Sequence, residues 1–180
     1  MTPGTNPPRF RRASRDDAAD VLAVLDEAAA WLGTRGIRQW PARFGLETVG
    51  PALDAGQTWL VSVAGVWAAT ITVDENDPLW LDRPGRALYI HRMARRRGFP
   101  ELGQEMLGWA AERAMAAGLD RVRLDCVADN PRLCRYYAER HFIPCGDTEV
   151  GGAPGERDSG STRRTTVRRF ERLIGTHRSP

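Results

Sequence analysis

The residues whose types and spacing suit them best to chemistry lie between Leu88 and Phe142. An apolar run, Ala87 to Ala94, breaks into Arg95-Arg96-Arg97-Gly98-Phe99-Pro100-Glu101-Leu102-Gly103, and a helical pattern then continues to Gly118. A strand, a basic glycine-bearing turn and a helix N-terminus in that order form a general device for holding phosphate. Backbone N–H groups and the helix dipole face the anion, and the arginines add charge. Further on, Arg121 to Val127 reads as a strand, and Asn130-Pro131 opens a short helix ending near Arg140. Asn is a strong N-cap and Pro suits the first helical position. Two other groups stand out. Trp31 and Trp40 flank a glycine-broken, Arg-bearing loop that forms either the rim of a pocket or a cover for the sheet. Asp74, Glu75 and Asp77 cluster before Pro78, as either a solvated turn or a site for a cationic amine.

The elements that position these groups follow from periodicity. Ser14-x-x-Asp17 resembles a capping box with Asp in place of Glu, and apolar residues then recur at helical spacing to Leu32. Leu46 to Asp54 reads as a second short helix. Thr58–Val63 and Val66–Val73 around Ala64-Gly65 read as a hairpin, with a possible edge strand at Phe10–Ala13 before them. Pro100 to Ala117 is expected to be the long helix, with Gly118 as its stop. Ile143–Val150 and Thr165–Leu173 read as paired strands joined by a Gly/Ser/Arg loop, Gly151 to Arg164, flexible by composition. Residues 1–8 and 175–180 read as loose tails around one domain at 9–174.

This stretch resembles the core of the GCN5-related N-acetyltransferases. Placing the last glycine of that family's phosphate turn at Gly103 puts Met106 and Leu107 at its apolar pair. With no gap, Gly118 then falls at the helix stop, Asn130 at the family's Asn, Tyr137 at its catalytic Tyr and Phe142 at its Phe. Three positions depart from the pattern. Gly98 replaces an Arg or Gln, Glu101 replaces the first glycine, and His141 replaces the Gly before Phe142. Glu101 either repels a pyrophosphate beside it or points away from the first helical turn, where its charge favours the dipole.

The resemblance implies a single α/β (α+β) domain: a mixed, mostly antiparallel sheet of six or seven strands flanked by about four helices. It implies acetyl-CoA as co-substrate, an amine as acceptor, and direct transfer in a ternary complex without metal. In that reading Met93, Ala94 and Arg95 pair with the pantetheine arm. Gly98, Phe99, Pro100, Glu101, Leu102, Gly103 and Gln104 hold the phosphates, and Asn130 and Tyr137 lie near the arm. Tyr137 is the general acid, its phenol protonated at neutral pH with an ordinary pKa of about 10, and Tyr136 the packing residue. Candidates for the base are Asp125, His91 and the Asp74/Glu75 pair, or a water chain. Trp31, Trp40 and Glu75 are the acceptor candidates. A Cys126 nucleophile with His91 is a minor alternative, since a buried strand Cys is usually inert.

Composition narrows the rest. At 180 residues, with 42% hydrophobic and 27% charged content, the chain suits one globular domain. All 26 Lys+Arg are Arg, a compositional bias that says little about nucleic acid. Three Cys without a CxxC and three scattered His argue against a disulfide framework or a zinc site. No run has transmembrane length and no signal-peptide core is present, so a cytoplasmic protein without membrane partners is expected. Two rivals remain: a weakly active acyl-CoA sensor, favoured by Glu101, and a nucleic-acid module that stacks bases on Trp beside Arg. No nucleic-acid partner is expected, and a homodimer is left open.

Overall fold

In β2 (Thr58–Val63) successive side chains leave on opposite faces, so Leu60 enters one core and Val61 the other. That parity sets the architecture, which a computed structural model describes for residues 6–151 and 164–175. The other strands are β1 (Arg9–Arg12), β3 (Val66–Asp74), β4 (Leu88–Arg95), β5 (Arg121–Val127), β6 (Ile143–Gly151) and β7 (Arg164–Leu173). With β2 they form one seven-stranded sheet in the order β1-β2-β3-β4-β5-β7-β6. Every neighbouring pair is antiparallel except β4 and β5. The hairpin turn uses Ala64 and Gly65, both at positive φ (50° and 81°), the conformation whose twist matches two paired strands.

Helices cover both faces. The apolar stripe of α1 (Ala18–Gly33), Val21, Val24, Leu25 and Ala29, forms one core with Leu60, Phe44, and Val49 and Leu53 of α2 (Leu46–Asp54). On the other face α3 (Leu102–Ala116) buries Leu102, Met106, Leu107, Ala110 and Ala114 against Val61, Ile71, Leu88, Ile90, Val122 and Leu124. It packs on β3, β4 and β5 and so spans the middle of the sheet. Gly118 ends it at φ 69°. The last helix, α4 (Pro131–Ala138), stops two residues before the expected Arg140. The long helix also starts later than its sequence pattern suggests. Pro100 lies in the preceding turn and Glu101 is the N-cap.

The capping-box reading holds on its carboxylate side. Asp17 accepts from the Ser14 N–H at 2.8 Å and hydroxyl at 3.1 Å, and Arg11 grips it at 2.6 Å. Arg11 and then the Ser14 N–H hold this carboxyl well below the usual range. Residues 1–5, 152–163 and 176–180 lie outside the described residues, and with them most of the expected tails and the Gly/Ser/Arg loop.

A second feature was not visible as such in the sequence. Arg123 points inward from β5 and is 1% exposed. It donates to Glu171 at 2.7 Å, to the Tyr89 hydroxyl at 3.1 Å, and to the carbonyls of Arg83, Pro84 and Gly85. Its guanidinium lies 4.7 Å from the centre of the Trp80 ring, and Arg169 lies 5.3 Å from that centre. Arg169 also binds Asp82 and the Leu79 carbonyl. Two cations therefore fasten the segment from Leu79 to Gly85 to the sheet.

Candidate active site

Strands β4 and β5 share only three residue pairs, Leu88–Val122, Tyr89–Arg123 and Ile90–Leu124. Beyond Ile90 they part. The cause is local: between His91 (opposite Thr72) and Ala94 (opposite Thr70), two residues of β4 face the single Ile71 of β3. The extra residue makes a bulge, and Arg92 takes φ 44°, a strained conformation for a side chain of its size. A cleft of about 1280 Å³ opens at this point, with Met93, Ala94 and Arg95 on one side and Leu124 and Asp125 on the other. The strands thus diverge at Met93–Arg95, beside a bulge that no glycine announces.

The basic turn is held from behind by α1. Glu27, Trp31 and Arg35 recur every four residues on that helix and its end, and so share a face. Glu27 pairs with the Arg96 guanidinium and accepts from the Arg97 N–H at 3.4 Å. Arg97 and Arg35 lie 5.5 and 4.6 Å from the centre of the Trp31 ring. Trp31 therefore lines the cleft as expected, but its ring contacts tie it to the basic turn. Trp40 lines the cleft too, edge-on to Phe44.

Of the expected turn residues, only Gly103 lines the cleft. Gly98, Phe99, Pro100, Glu101, Leu102 and Gln104 lie outside its lining, in the turn and first residues leading into α3. Leu102 is a core residue, and Glu101 is exposed without a side-chain capping bond. Gly103 is buried beneath Tyr136, and a Cβ there would overlap the Tyr136 hydroxyl. Ala is ordinarily favoured over Gly inside a helix by about 1 kcal/mol. Gly103→Ala is nevertheless expected to lower the melting temperature, and adding Tyr136→Phe to recover most of the loss. Thermal denaturation of both single variants and the double checks this. An unchanged Tm in Gly103→Ala would show that Tyr136 swings aside freely.

The two tyrosines stand side by side at the cleft, with ring centres 5.5 Å apart. Tyr137 is 6% exposed and packs against Phe142, Phe170 and Tyr136, with ring centres 5.5 to 5.8 Å apart. Tyr136, expected to be the packing residue, is half-buried and lies over Gly103. Both line the cleft. Burial, with Cys126, Tyr136 and Asp125 nearby, pushes the Tyr137 phenol well above its ordinary pKa. Asn130, also in the cleft lining, caps α4 by accepting the Leu133 N–H at 3.1 Å.

The base candidates separate. His91 Nε2 lies 3.3 Å from an Asp74 carboxylate oxygen, both side chains are largely buried, and both line the cleft. Asp125 lines it from β5. Glu75 does not: it is exposed, 3.6 Å from Arg86, because neighbouring residues at a strand end point opposite ways. Asp74 and Asp77 stand in the cleft in its place. The Cys126 route also fails. Its thiol is fully buried and pushed far up by burial and by Cys134 (Sγ–Sγ 3.8 Å).

Comparison with known proteins agrees with this geometry. Residues 23–142 match the acetyltransferase (GNAT) family, and the chain belongs to that family; it is an N-acetyltransferase. It is 28% identical over 133 residues to the uncharacterised N-acetyltransferase YesJ of Bacillus subtilis, covering 68% of this chain and 74% of YesJ. In fold it resembles a GNAT-family acetyltransferase of Listeria monocytogenes, with a TM-score of 0.73 and 20% identity over 97% of this chain and 99% of that one. YncA of Salmonella typhimurium, solved with its cofactor acetyl-CoA, gives a TM-score of 0.65 at 13% identity over 97% and 98%. Among the described residues no cluster of His, Cys, Asp and Glu could hold a metal ion, and no helix is long and apolar enough to cross a membrane.

Proposed function

We propose that this chain transfers the acetyl group of acetyl-CoA directly to a primary amine, with both substrates bound together. The opening of the β4–β5 seam after three pairs carries this reading. It leaves the inner edges of His91–Arg95 and Asp125–Val127 without a strand partner between them, which suits the amides of a pantetheine arm. The basic turn backed by Glu27 and Trp31, with the α3 N-terminus, suits its phosphates. The donor set therefore fits acetyl-CoA, as does the complex of YncA.

In this scheme a backbone N–H near Met93–Arg95 polarises the thioester carbonyl. His91, oriented by Asp74, takes the proton of the acceptor ammonium; imidazole is the commonest side chain in that role. The free amine attacks, the C–N bond forms and the C–S bond breaks. Tyr137 gives its proton to the leaving thiolate, and its phenolate recovers the second proton that the nitrogen sheds as the amide forms; the net proton released is the one His91 took and passes to solvent.

Acetyl-CoA at a hundredfold excess over its Kd is expected to stabilise the fold by about 2.7 kcal/mol. For a chain of this size that raises Tm by roughly 5–10 °C. No shift at millimolar acetyl-CoA would sink the reading. Initial rates against both substrates are expected to give intersecting lines, and parallel lines would point to a covalent intermediate. Binding without turnover on any amine would instead support the acyl-CoA sensor.

A further inference from the structure

Strand β1 ends at Arg12, which stands opposite Trp59 of β2, while Phe10 stands opposite Val61. Val61 faces the core beneath α3, so parity turns Phe10, Arg12 and Trp59 towards that helix as well. There α3 presents Trp109 and, four residues on, Arg113. Phe10 stacks on Trp109 with ring centres 4.7 Å apart, and Trp59 meets Trp109 edge-on at 5.1 Å. The Arg12 and Arg113 guanidinium carbons lie 5.2 and 4.6 Å from the Trp59 ring centre. None of the five residues is buried, and none lines the cleft. Arg11 and Arg15, on either side of Arg12 in the chain, pair with Asp17 and Asp54. Among the described residues, neither Arg12 nor Arg113 donates a side-chain hydrogen bond or pairs with a carboxylate. Burial and then the Arg12 charge hold the Arg113 guanidinium below its ordinary pKa, so the two cations feel each other. The ring faces offset part of that repulsion, and an anion between the cations would relieve the rest.

We propose that Arg12 and Arg113 form a second ligand site, outside the acetyl-transfer cleft, and that it takes a phosphate monoester. Each guanidinium presents a planar fork of donors that matches two oxygens of an anion. A phosphate monoester brings three terminal oxygens and nearly two negative charges at neutral pH, enough for both forks. A carboxylate or a phosphodiester brings one charge and two free oxygens, and fills one fork only. The aromatic floor holds the forks in place beforehand, which limits the ordering cost of binding. Arg113 leans back a turn from its own Cα onto Trp109, so its guanidinium stands away from the carbonyl end of α3. A small phosphate ester and a phosphorylated side chain of a partner protein carry the same group, and the site reads that group.

Titration of phenyl phosphate into the full-length protein tests this. Arg12→Gln and Arg113→Gln are each expected to weaken binding by about tenfold or more, while the acetyl-CoA thermal shift stays as in wild type. Arg113→Lys keeps the charge over the rings without the fork, and is expected to lose most of the affinity with little change in Tm. Wild-type affinity is expected to fall several-fold between about pH 7 and pH 5, because the ester regains a proton near pH 6 while the arginines stay charged. Benzoate and dimethyl phosphate, both monoanions, are expected to bind about tenfold more weakly. No binding to wild type, benzoate bound as tightly as phenyl phosphate, or full affinity in both Gln variants overturns the proposal; the last would place the phosphate at the basic turn. A duplex oligonucleotide held as tightly as phenyl phosphate would mark a nucleic-acid surface and overturn it too. A phosphoserine peptide that outbinds both phenyl phosphate and its own unphosphorylated form supports the site with a protein partner as its source. A peptide no tighter than phenyl phosphate supports it with a small ester as the source. Failure of acetyl-CoA to shift Tm in wild type counts instead against the acetyl-transfer reading, on which this site does not depend.

Discussion

Tyr137→Phe is expected to lower kcat by ten- to a thousandfold while leaving the fold and the acetyl-CoA thermal shift intact. The ring makes the packing contacts with Phe142 and Phe170, and Phe keeps them. Only the hydroxyl is lost, and the proton it would give to the thiolate. The raised pKa has a definite sign here. An acid must be protonated to act, so a phenol lifted above its ordinary value stays competent further into the alkaline range. The rate is therefore expected to show no loss from Tyr137 ionisation below about pH 10. Tyr136→Phe is the control, with a change under about tenfold. Equal rates in all three proteins would remove Tyr137 from the mechanism, whereas an alkaline limb below that pH that vanishes in Tyr137→Phe would keep the phenol as the acid and overturn its raised pKa.

The largest effect on stability is expected at Arg123. Arg123→Met strips five acceptors of their donor and takes the cation from the Trp80 face. Breaking a buried pair by removing one partner ordinarily costs about 3–5 kcal/mol. Arg121 still reaches Glu171 at 3.4 Å and keeps that carboxylate from being wholly uncompensated, which places the cost nearer the lower figure. Urea denaturation measures it, and a loss under about 1 kcal/mol would show that the Leu79–Gly85 segment is held by Arg169 and packing alone. Arg123→Lys is expected to rescue little, because a single ammonium cannot span three carbonyls, a hydroxyl and a carboxylate at once. The segment begins at Leu79 of the cleft wall, next to Pro78, which lines it too. The same variant is therefore expected to raise the acceptor KM more than it lowers kcat.

Elements with a strong local signal were legible in the residues. Periodicity and punctuation placed α2 at Leu46–Asp54, β2 at Thr58–Val63 and β5 at Arg121–Val127. Those segments carry their own stop signals, such as Gly56 and the Ala64-Gly65 turn. Along the continuous stretch from Arg95 to Tyr137 the sequence placed Arg95, Gly103, Asn130 and Tyr137, which line the cleft, but also Gly98 to Leu102 and Gln104, which do not. Features that arise from register between distant strands were not legible. Whether Asp74 or Glu75 faces the cleft turns on a single residue of strand parity. The meeting of His91 with Asp74 depends on the β3–β4 pairing, including its bulge. Arg92 adopts positive φ with no glycine to mark it, since tertiary packing imposes the strain. Arg123 looks like any charged strand residue until the segment before β4 folds over it.

The shortness of the β4–β5 seam also shapes how the chain assembles. Strands β2 and β3 meet through a two-residue turn, and β1 to β4 follow one another across the sheet as successive antiparallel neighbours. By contrast β5 reaches β4 only after a crossover through α3, and the parallel ladder then returns three residue pairs. The entropy of closing that long connection is incurred late and for few hydrogen bonds. The strands before α3 and the β5–β7–β6 ribbon can each gain structure from their own pairings, which leaves their docking as the slow step. Until it occurs, Leu88, Tyr89 and Ile90 present an open, apolar edge. During folding it is this strand, rather than the arginine-lined β1, that another copy of the chain would find easiest to pair with.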